Sequence, residues 1–233
     1  VPGVEGIGIV EDVGGCVSDV KVGDRVLLPH GVGTWRERLV VKGDDLVVVP
    51  NGLPVQQAAM VRVNAATAWC LLNEFVQLNL GEWIVQNAAN SGVGRAVIQI
   101  ARACGLKTLN VVRRSELCSE LMEIGADAVV VEGPDLKSQI LEHTGGERIA
   151  RLGLNAVGGE SALVIANVLG DRGVHVTYGA MGRAPMRMPN GLLIFRNIRF
   201  EGFWVTRWYR EASPERRKDL FDALFKLLAD GVL

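Results

Sequence analysis

The sequence predicts an α/β protein in which a doubly wound parallel sheet is joined to part of a β-rich domain. From about Val61 onward, short apolar runs alternate with segments of helical periodicity, which is typical of a parallel sheet covered on both faces. Earlier in the chain, short β-rich runs over 8–13, 24–28 and 46–49 are interrupted by Gly and Asp. We therefore expect a partial β-rich domain over 1–60, an α/β domain over 61–204, and a return to the β-rich domain over 205–233.

The composition is that of an ordinary globular protein. Of 233 residues, 48% are hydrophobic, and a formal net charge of −1 gives no indication of nucleic-acid or membrane binding. No apolar run approaches the roughly 20 residues that a membrane span needs. The four cysteines form no C-x-x-C pair, which argues against a zinc site or a disulfide framework and indicates a reducing compartment. Because the chain starts without Met and without a signal peptide, we expect a piece of a longer protein.

The elements of the α/β part follow in a regular order. Trp83–Gln86 is predicted as a buried strand, and the next helix, which ends at Gly105, turns one apolar face inward through Val93, Ala96, Val97, Ile100, Ala101 and Cys104. Further strands are expected over 108–112, 128–131, 152–156, 174–178 and 198–203, with helices around 117–124 and 161–169. The last helix has Ser213 as its N-cap and Pro214 as its first residue, and it buries Leu220, Phe221, Leu224, Phe225 and Leu228.

The turn after the first of these strands has the pattern of a dinucleotide site. Ala89, Ser91 and Gly94 occupy the three glycine positions of G-x-G-x-x-G. Small residues there let the backbone turn sharply and approach a pyrophosphate, which the amides of the following helix bind. Since only one of the three residues is glycine, the same pattern also suits a strand–turn–helix unit that binds no nucleotide.

The end of the second strand indicates which dinucleotide is bound. An NAD site has an acidic residue there for the ribose 2′-hydroxyl, whereas a 2′-phosphate requires arginine. Here Arg113, Arg114 and Ser115 follow the strand, and Arg113 lies 24 positions after Ala89. Two guanidiniums and a hydroxyl predict NADPH, and the alternative is a solvated charged loop. Glu116, a possible ribose ligand, lies further along the chain.

Segments along almost the whole chain carry a family resemblance. They are residues 31–36, 86–94, 110–113, 154–159, 176–181, 192–195 and 202–204. Together they resemble the medium-chain dehydrogenase/reductase superfamily and, within it, the mitochondrial-type trans-2-enoyl-CoA reductases and their bacterial relatives. The resemblance implies a Rossmann cofactor domain and a GroES-like catalytic domain. Zinc-dependent members of the superfamily have G-H-E where this chain reads Gly3-Val4-Glu5, and because Val4 cannot ligate a metal, zinc-independent chemistry is implied.

The resemblance also implies a set of site residues. The nicotinamide half of NADPH is expected near Asn64, and the pyrophosphate is expected at Asn90, Ser91, Gly92 and Val93. The 2′-phosphate is expected at Arg113, Arg114 and Ser115. The nicotinamide ribose and ring are expected beside Tyr178, Gly179, Ala180, Met181, Phe203, Trp204, Val205 and Thr206, although core packing also suits Tyr178 and Trp204. The family's catalytic tyrosine lies upstream of the region matching Val1, and a cofactor-contacting lysine lies beyond Leu233. Trp204 and Asn64 are then the expected active-site neighbours. The catalytic residues within this chain are left unassigned.

The implied activity is hydride transfer from NADPH to the β-carbon of a trans-2-enoyl thioester. The carrier is coenzyme A or acyl carrier protein, the setting is fatty acid synthesis, and the enzyme is expected to be a homodimer. We expect a bacterial cytoplasmic protein, or a mitochondrial one if the source is eukaryotic. The alternatives are a quinone or enone reductase of the same zinc-free fold and a non-catalytic NADPH-binding protein. None of His30, His143 and His175 stands in an evident acid–base motif.

Overall fold

The computed structural model describes residues 2–145 and 147–233, which divide into two units. The first unit comprises the described part of Val1–Thr67 together with Val205–Leu233, and the second comprises Ala68–Trp204. The expected boundary at residues 60 and 61 is therefore shifted, because residues 61–67 pack with the end of the chain. The buried guanidinium of Arg62 lies 5.7 Å from the ring of Tyr209 and 5.1 Å from that of Phe221. The Tyr209 hydroxyl donates to the Arg62 carbonyl at 2.7 Å.

The helices and strands are named in chain order. The strands are β1 Ile7–Ile9, β2 Arg25–Leu27, β3 Val47–Val48, β4 Trp83–Gln86, β5 Lys107–Val112, β6 Ala128–Val131, β7 Ala150–Asn155, β8 Leu169–Thr177 and β9 Arg199–Gly202. The α-helices are α1 Val55–Ala59, α2 Ala66–Asn73, α3 Gly92–Ala103, α4 Cys118–Glu123, α5 Leu136–Thr144, α6 Gly159–Val168, α7 Asn190–Ile194, α8 Val205–Glu211 and α9 Pro214–Ala229. Single-turn helices lie at Gly43–Asp45 and Ser115–Leu117, and a π-helical turn lies at Val61–Ala65. Within the described residues, no helix is both long and apolar enough to cross a membrane.

A six-stranded parallel sheet forms the centre of the second unit, in the order β6-β5-β4-β7-β8-β9. This confirms the predicted doubly wound α/β fold. Leu109, Leu152 and Leu154 are fully buried, as expected for strands covered on both faces. The winding reverses between β4 and β7. Ligands in such sheets bind beyond the carboxyl ends of the strands at that switch point.

Helix α3 confirms most of its predicted buried face. Ala96, Val97, Ile100 and Ala101 are buried, whereas Cys104, which follows the last helical residue as the C-cap, is exposed. Gly105 has φ +67°, a left-handed conformation that favours glycine at the end of a helix. The helix starts after Ser91, whose Oγ accepts the N–H of Gly94 at 3.1 Å. This cap satisfies one of the amides that a helix N-terminus leaves unpaired.

The first unit contains the antiparallel sheet β1-β2-β3 and the two helices that close the chain. Its strands are two or three residues long, so the predicted runs over 8–13, 24–28 and 46–49 are too long. The chain leaves the first run at Val10, since the following Glu11 to Gly15 segment has no ladder pairing and includes a turn. Helix α9 confirms its predicted cap and its predicted buried residues, namely Leu220, Phe221, Leu224, Phe225 and Leu228.

A buried histidine in β8 makes the stability of the second unit depend on pH. His175 is fully buried, and its Nε2 lies 3.2 Å from the carbonyl of Ala162. Burial lowers the pKa of His175, so the folded protein favours the neutral ring. An unfolded histidine has a pKa of about 6.5, and below that pH the unfolded state binds a proton that the folded state does not. Protonation of His175 therefore does not lower the free energy of unfolding above about pH 7. The free energy of unfolding falls as the pH drops from about 6.5 toward the lower pKa that His175 has in the folded protein.

We predict that His175→Gln flattens the decline of the free energy of unfolding between about pH 7 and 5, as measured by urea unfolding. Some slope should remain, because burial also lowers the pKa of His30. His143→Gln is the control, since His143 is exposed on α5, and it should leave the slope unchanged. A slope that is the same in His175→Gln and in the unmutated protein would contradict the prediction.

Candidate functional site

The predicted dinucleotide turn connects β4 to α3 at the switch point of the sheet. A Cβ built on Gly94 would lie 2.5 Å from the carbonyl oxygen of Ala89, so only glycine lets the helix pack this closely on the turn. Ala88 takes φ +48°, a conformation that L-residues seldom adopt outside functional turns. Of the three glycine positions of G-x-G-x-x-G, the first two are alanine and serine here. The third is Gly94, and the close packing at that position requires glycine.

Two buried asparagines, which the sequence reasoning did not single out, join the strands on either side of the switch point. Asn87 follows β4 and Asn155 ends β7, and both side chains are fully buried. The Asn87 Nδ2 donates to the Asn155 Oδ1 at 2.8 Å, and the Asn87 Oδ1 accepts the N–H of Ala156 at 2.7 Å. The signal available in the sequence was an amide side chain at the end of each of two buried strands.

The predicted nicotinamide segment after β8 packs on the loop after β7. The N–H of Tyr178 donates to Asn155 O at 3.0 Å, and that of Met181 donates to Ala156 O at 3.0 Å. A Cβ on Gly179 would lie 2.8 Å from the Ala156 carbonyl oxygen, so the approach of the two loops requires glycine. Ala180 and Met181 are exposed at the edge of this segment.

The hydroxyl of Tyr178 is buried beside Ser91. Burial raises the pKa of Tyr178 to about 12, and the neighbouring Ser91 hydroxyl opposes the rise. Within the described part of the chain this phenol oxygen has no well-formed hydrogen bond. The Ser91 hydroxyl, which caps α3, is therefore a weakly interacting neighbour of this phenol, and a polar ligand at the turn could make a further contact with it.

The predicted 2′-phosphate residues lie beyond the carboxyl end of β5. Arg113, Arg114 and Ser115 are all exposed. The Arg114 Nε lies 3.5 Å from a carboxylate oxygen of Glu116, whereas no carboxylate among the described residues lies within 4.0 Å of the Arg113 guanidinium. Glu116 belongs to the single-turn helix Ser115–Leu117. The side chain at the position that decides between the two dinucleotides is therefore an accessible cation.

Three of the predicted site residues lie in the first unit. Asn64 is half-buried in the π-helical turn Val61–Ala65, and π-turns often occur at functional sites. The Glu5 carboxylate accepts the N–H of Val63 at 3.1 Å and also interacts with the N–H of Asn64. Burial raises the pKa of Glu5, while those two backbone contacts lower it. Val205 and Thr206 begin α8, and Thr206 Oγ1 lies 2.9 Å from the His30 Nε2.

Two predicted residues at the end of β9 remain in the second unit. The N–H of Phe203 donates to Thr177 O at 2.9 Å, and its ring packs edge-on against Phe75 with centroids 5.8 Å apart. The Trp204 side chain is 56% exposed, which argues against the alternative that it is a core residue.

The residues of the second unit fit NADPH. The N-terminus of α3 and the turn packed against Gly94 suit a pyrophosphate, and Arg113 with Ser115 suits a 2′-phosphate. The buried Tyr178 hydroxyl lies beside Ser91 at the same turn.

The donor set does not fit a zinc ion. Across residues 2–145 and 147–233, no cluster of three or more His, Cys, Asp and Glu side chains could hold a metal.

We predict that prolonged dialysis of the complete protein against a chelator leaves its NADPH oxidation rate unchanged. Stoichiometric zinc found by elemental analysis, together with loss of turnover on its removal, would contradict this prediction.

The fold and the candidate site suit a protein that binds a nicotinamide dinucleotide, and comparison with known proteins identifies its family as one of oxidoreductases. Residues 92–225 match the zinc-binding dehydrogenase family. The chain is 42% identical over 237 residues to the mitochondrial enoyl-[acyl-carrier-protein] reductase of Caenorhabditis elegans, covering 99% of this chain and 67% of the relative. The chain therefore belongs to the zinc-binding dehydrogenase family and, within it, to the NADP-dependent enoyl thioester reductases. It spans about two thirds of the length of the curated relatives that it matches.

Solved structures extend the comparison. The complex of Etr1p with NADP and crotonyl-CoA has a TM-score of 0.91 and 32% identity, and it covers all of this chain and 70% of that protein. Etr1p of Candida tropicalis is also found as a heterodimer with Etr2p. The NADPH complex of Escherichia coli quinone oxidoreductase has a TM-score of 0.88 and 26% identity, covering 100% of this chain and 71% of that one. The enoyl reductase relatives are mitochondrial and eukaryotic, so they do not support the expectation of a bacterial cytoplasmic protein.

Proposed function

We propose that the protein to which this chain belongs reduces trans-2-enoyl thioesters to saturated acyl thioesters with NADPH, in fatty acid synthesis. The observation that carries the proposal is about 40% identity over essentially the whole chain to enoyl-[acyl-carrier-protein] reductases. An accessible Arg113 beyond β5 supports NADPH as the reductant.

Each group of site residues has a proposed task. The turn at Asn90 to Val93 and the N-terminus of α3 bind the pyrophosphate, and Arg113, Arg114 and Ser115 bind the 2′-phosphate. Within the second unit, the segment Tyr178 to Met181 with Phe203 and Trp204 holds the nicotinamide. Bound NADPH supplies the hydride for the β-carbon of the enoyl group. The protein's contribution is to fix orientation and to exclude water around the developing enolate.

The two units are proposed to correspond to two domains. Ala68–Trp204 would be the cofactor domain, and Val1–Thr67 with Val205–Leu233 would belong to the catalytic domain. The proposed assembly is a dimer of identical chains; the Etr1p/Etr2p structure, which is a heterodimer, supports a dimer but not the identity of its two chains. A mitochondrial location is proposed because the enoyl reductase relatives are mitochondrial. Fractionation of the source cells would test it.

Quinone or enone reduction is the second candidate, because bacterial quinone oxidoreductases share the fold at TM-scores of 0.86 to 0.90. We predict that the complete protein oxidises NADPH with crotonyl-CoA at least tenfold more efficiently, in kcat/KM, than with a small quinone. Absorbance at the NADPH band measures both reactions under the same conditions. A preference for the quinone would favour the second candidate, and NADPH binding without turnover of either substrate would favour a non-catalytic role.

A further inference from the structure

The Asn87–Asn155 pair connects two loops that the proposed function assigns to opposite ends of the cofactor. Asn87 begins the turn proposed for the pyrophosphate, and Asn155 leads into the loop on which the proposed nicotinamide segment rests. We infer that this amide pair is a positioning device, which sets the nicotinamide segment relative to the pyrophosphate turn and so sets the geometry of hydride transfer. The inference rests on the proposed function.

Every hydrogen-bonding atom of the two amides is used, and their orientation is therefore fixed. In addition to the bond from Asn87 Nδ2, the Asn155 Oδ1 accepts the backbone N–H of Val157 at 3.1 Å and that of Gly158 at 3.0 Å. Asn155 Nδ2 donates to Thr177 Oγ1 at 3.1 Å. Asn87 Nδ2 also donates to the hydroxyl of Ser161 at 3.1 Å. Reversing either amide would place a donor against a donor, so the pair has one arrangement.

The backbone carries this arrangement onward to the nicotinamide segment. Asn87 Oδ1 holds the N–H of Ala156, and the carbonyl of Ala156 accepts the N–H of Met181 at 3.0 Å. The carbonyl of Val157 accepts the N–H of Gly182 at 2.9 Å. Two hydrogen bonds in series therefore separate the Asn87 side chain from the 178–182 loop. The backbone of Gly179 packs closely on the carbonyl of Ala156, so the loop cannot move closer to Ala156.

This geometry predicts that loss of the pair affects hydride transfer more than cofactor affinity. The pyrophosphate and 2′-phosphate contacts come from the α3 N-terminus and from Arg113, which the substitution leaves in place. Misplacement of reacting atoms by about 1 Å costs roughly a hundredfold in rate, whereas binding contacts tolerate it better. A residue with only a structural role would lower thermal stability and leave the rate of the folded protein unchanged.

The test is Asn87→Leu in the complete protein, with three measurements. We expect single-turnover NADPH oxidation with crotonyl-CoA to slow at least tenfold, the fluorescence spectrum of bound NADPH without substrate to change, and the Kd for NADPH to change less than threefold. Gln139→Leu is the matched control: its side-chain amide bridges the N–H and carbonyl of Val131 at 2.9 and 3.1 Å. It should lower the thermal midpoint without changing the rate or the spectrum.

Asn87→Asp provides the second variant if Asn87→Leu does not fold. Its carboxylate can still accept the N–H of Ala156 but cannot donate to Asn155 unless it is protonated, so its hydride-transfer rate should rise, relative to the unmutated protein, as the pH is lowered. A rate within twofold of the unmutated protein in the tested variant, or an unchanged NADPH spectrum, would overturn the inference. If the unmutated protein fails to reduce crotonyl-CoA, the proposed function fails, and the NADPH spectrum alone then decides the role of the pair.

Discussion

Replacing Arg113 with Asp should weaken NADPH binding at least tenfold and affect NADH binding much less. The guanidinium lies where an NAD enzyme has an acidic residue, and no carboxylate in the described chain is within 4.0 Å to neutralise it. A charge-assisted contact to a phosphate contributes about 1.5–3 kcal/mol, and the introduced carboxylate would in addition repel the 2′-phosphate. Fluorescence titration of each cofactor measures both affinities.

Arg148→Asp makes the same charge change at a distant position. Arg148 is exposed just before β7, at the edge of the sheet where the parallel strands begin. Arg113 lies at the other edge, where β5 ends. It should change neither affinity by more than about twofold, because salt screens exposed charges beyond about 10 Å. Equal affinity of the unmutated protein for the two cofactors would contradict the assignment of Arg113, as would equal losses of NADPH and NADH binding in Arg113→Asp.

The sequence predicted the second unit well where one strong local signal determined each element. β4 and β6 have the predicted ends, because each is set by an apolar run of a few residues. In the first unit, α9 likewise begins at its predicted cap, Ser213. Helix α5 was not predicted, since its stretch Leu136–Thr144 is mostly polar and has little apolar periodicity. It packs on the sheet largely through Leu136 and Ile140.

The first unit was predicted less accurately for a physical reason. Its strands are only two or three residues long, which is too short for an alternation of apolar and polar residues to be recognised, and each is followed by an irregular segment. The π-helical turn Val61–Ala65 was also missed. Its Arg62 packs against Tyr209, 147 residues later, and against Phe221, which is further still along the chain, and no local pattern records these contacts.

The candidate site shows the same division. Arg113 and Gly94 were predicted because each requirement is local, a residue type at the end of a strand or a close approach within one turn. Asn87 and Asn155 were not predicted, because their partnership arises only when β4 and β7 become neighbours, 68 residues apart in sequence. Sequence patterns indicate what binds here, whereas the tertiary fold decides what holds the binding groups in place.

Gly94→Ala should have the second large effect, through packing alone. Gly94 does not have a positive φ, so the backbone accepts alanine, but the new Cβ would lie 2.5 Å from Ala89 O and 2.7 Å from its Cα. Those obstacles are backbone atoms that cannot rotate away, so α3 must move off the turn. Overpacking of this kind costs about 1–3 kcal/mol, which corresponds to a fall in the thermal midpoint of several degrees for a chain of this length.

The displaced helix would also carry its N-terminal amides away from the pyrophosphate, and we therefore expect NADPH binding to weaken more than tenfold in Gly94→Ala, by fluorescence titration. Gly191→Ala is the control in the same unit: its Cβ would meet only the flexible ring of Phe195, at 3.5 Å, inside helix α7. Alanine there should be neutral or stabilising by up to about 1 kcal/mol, since glycine is the poorer helix former. If Gly94→Ala keeps the NADPH affinity of the unmutated protein, the turn between β4 and α3 is not the pyrophosphate site.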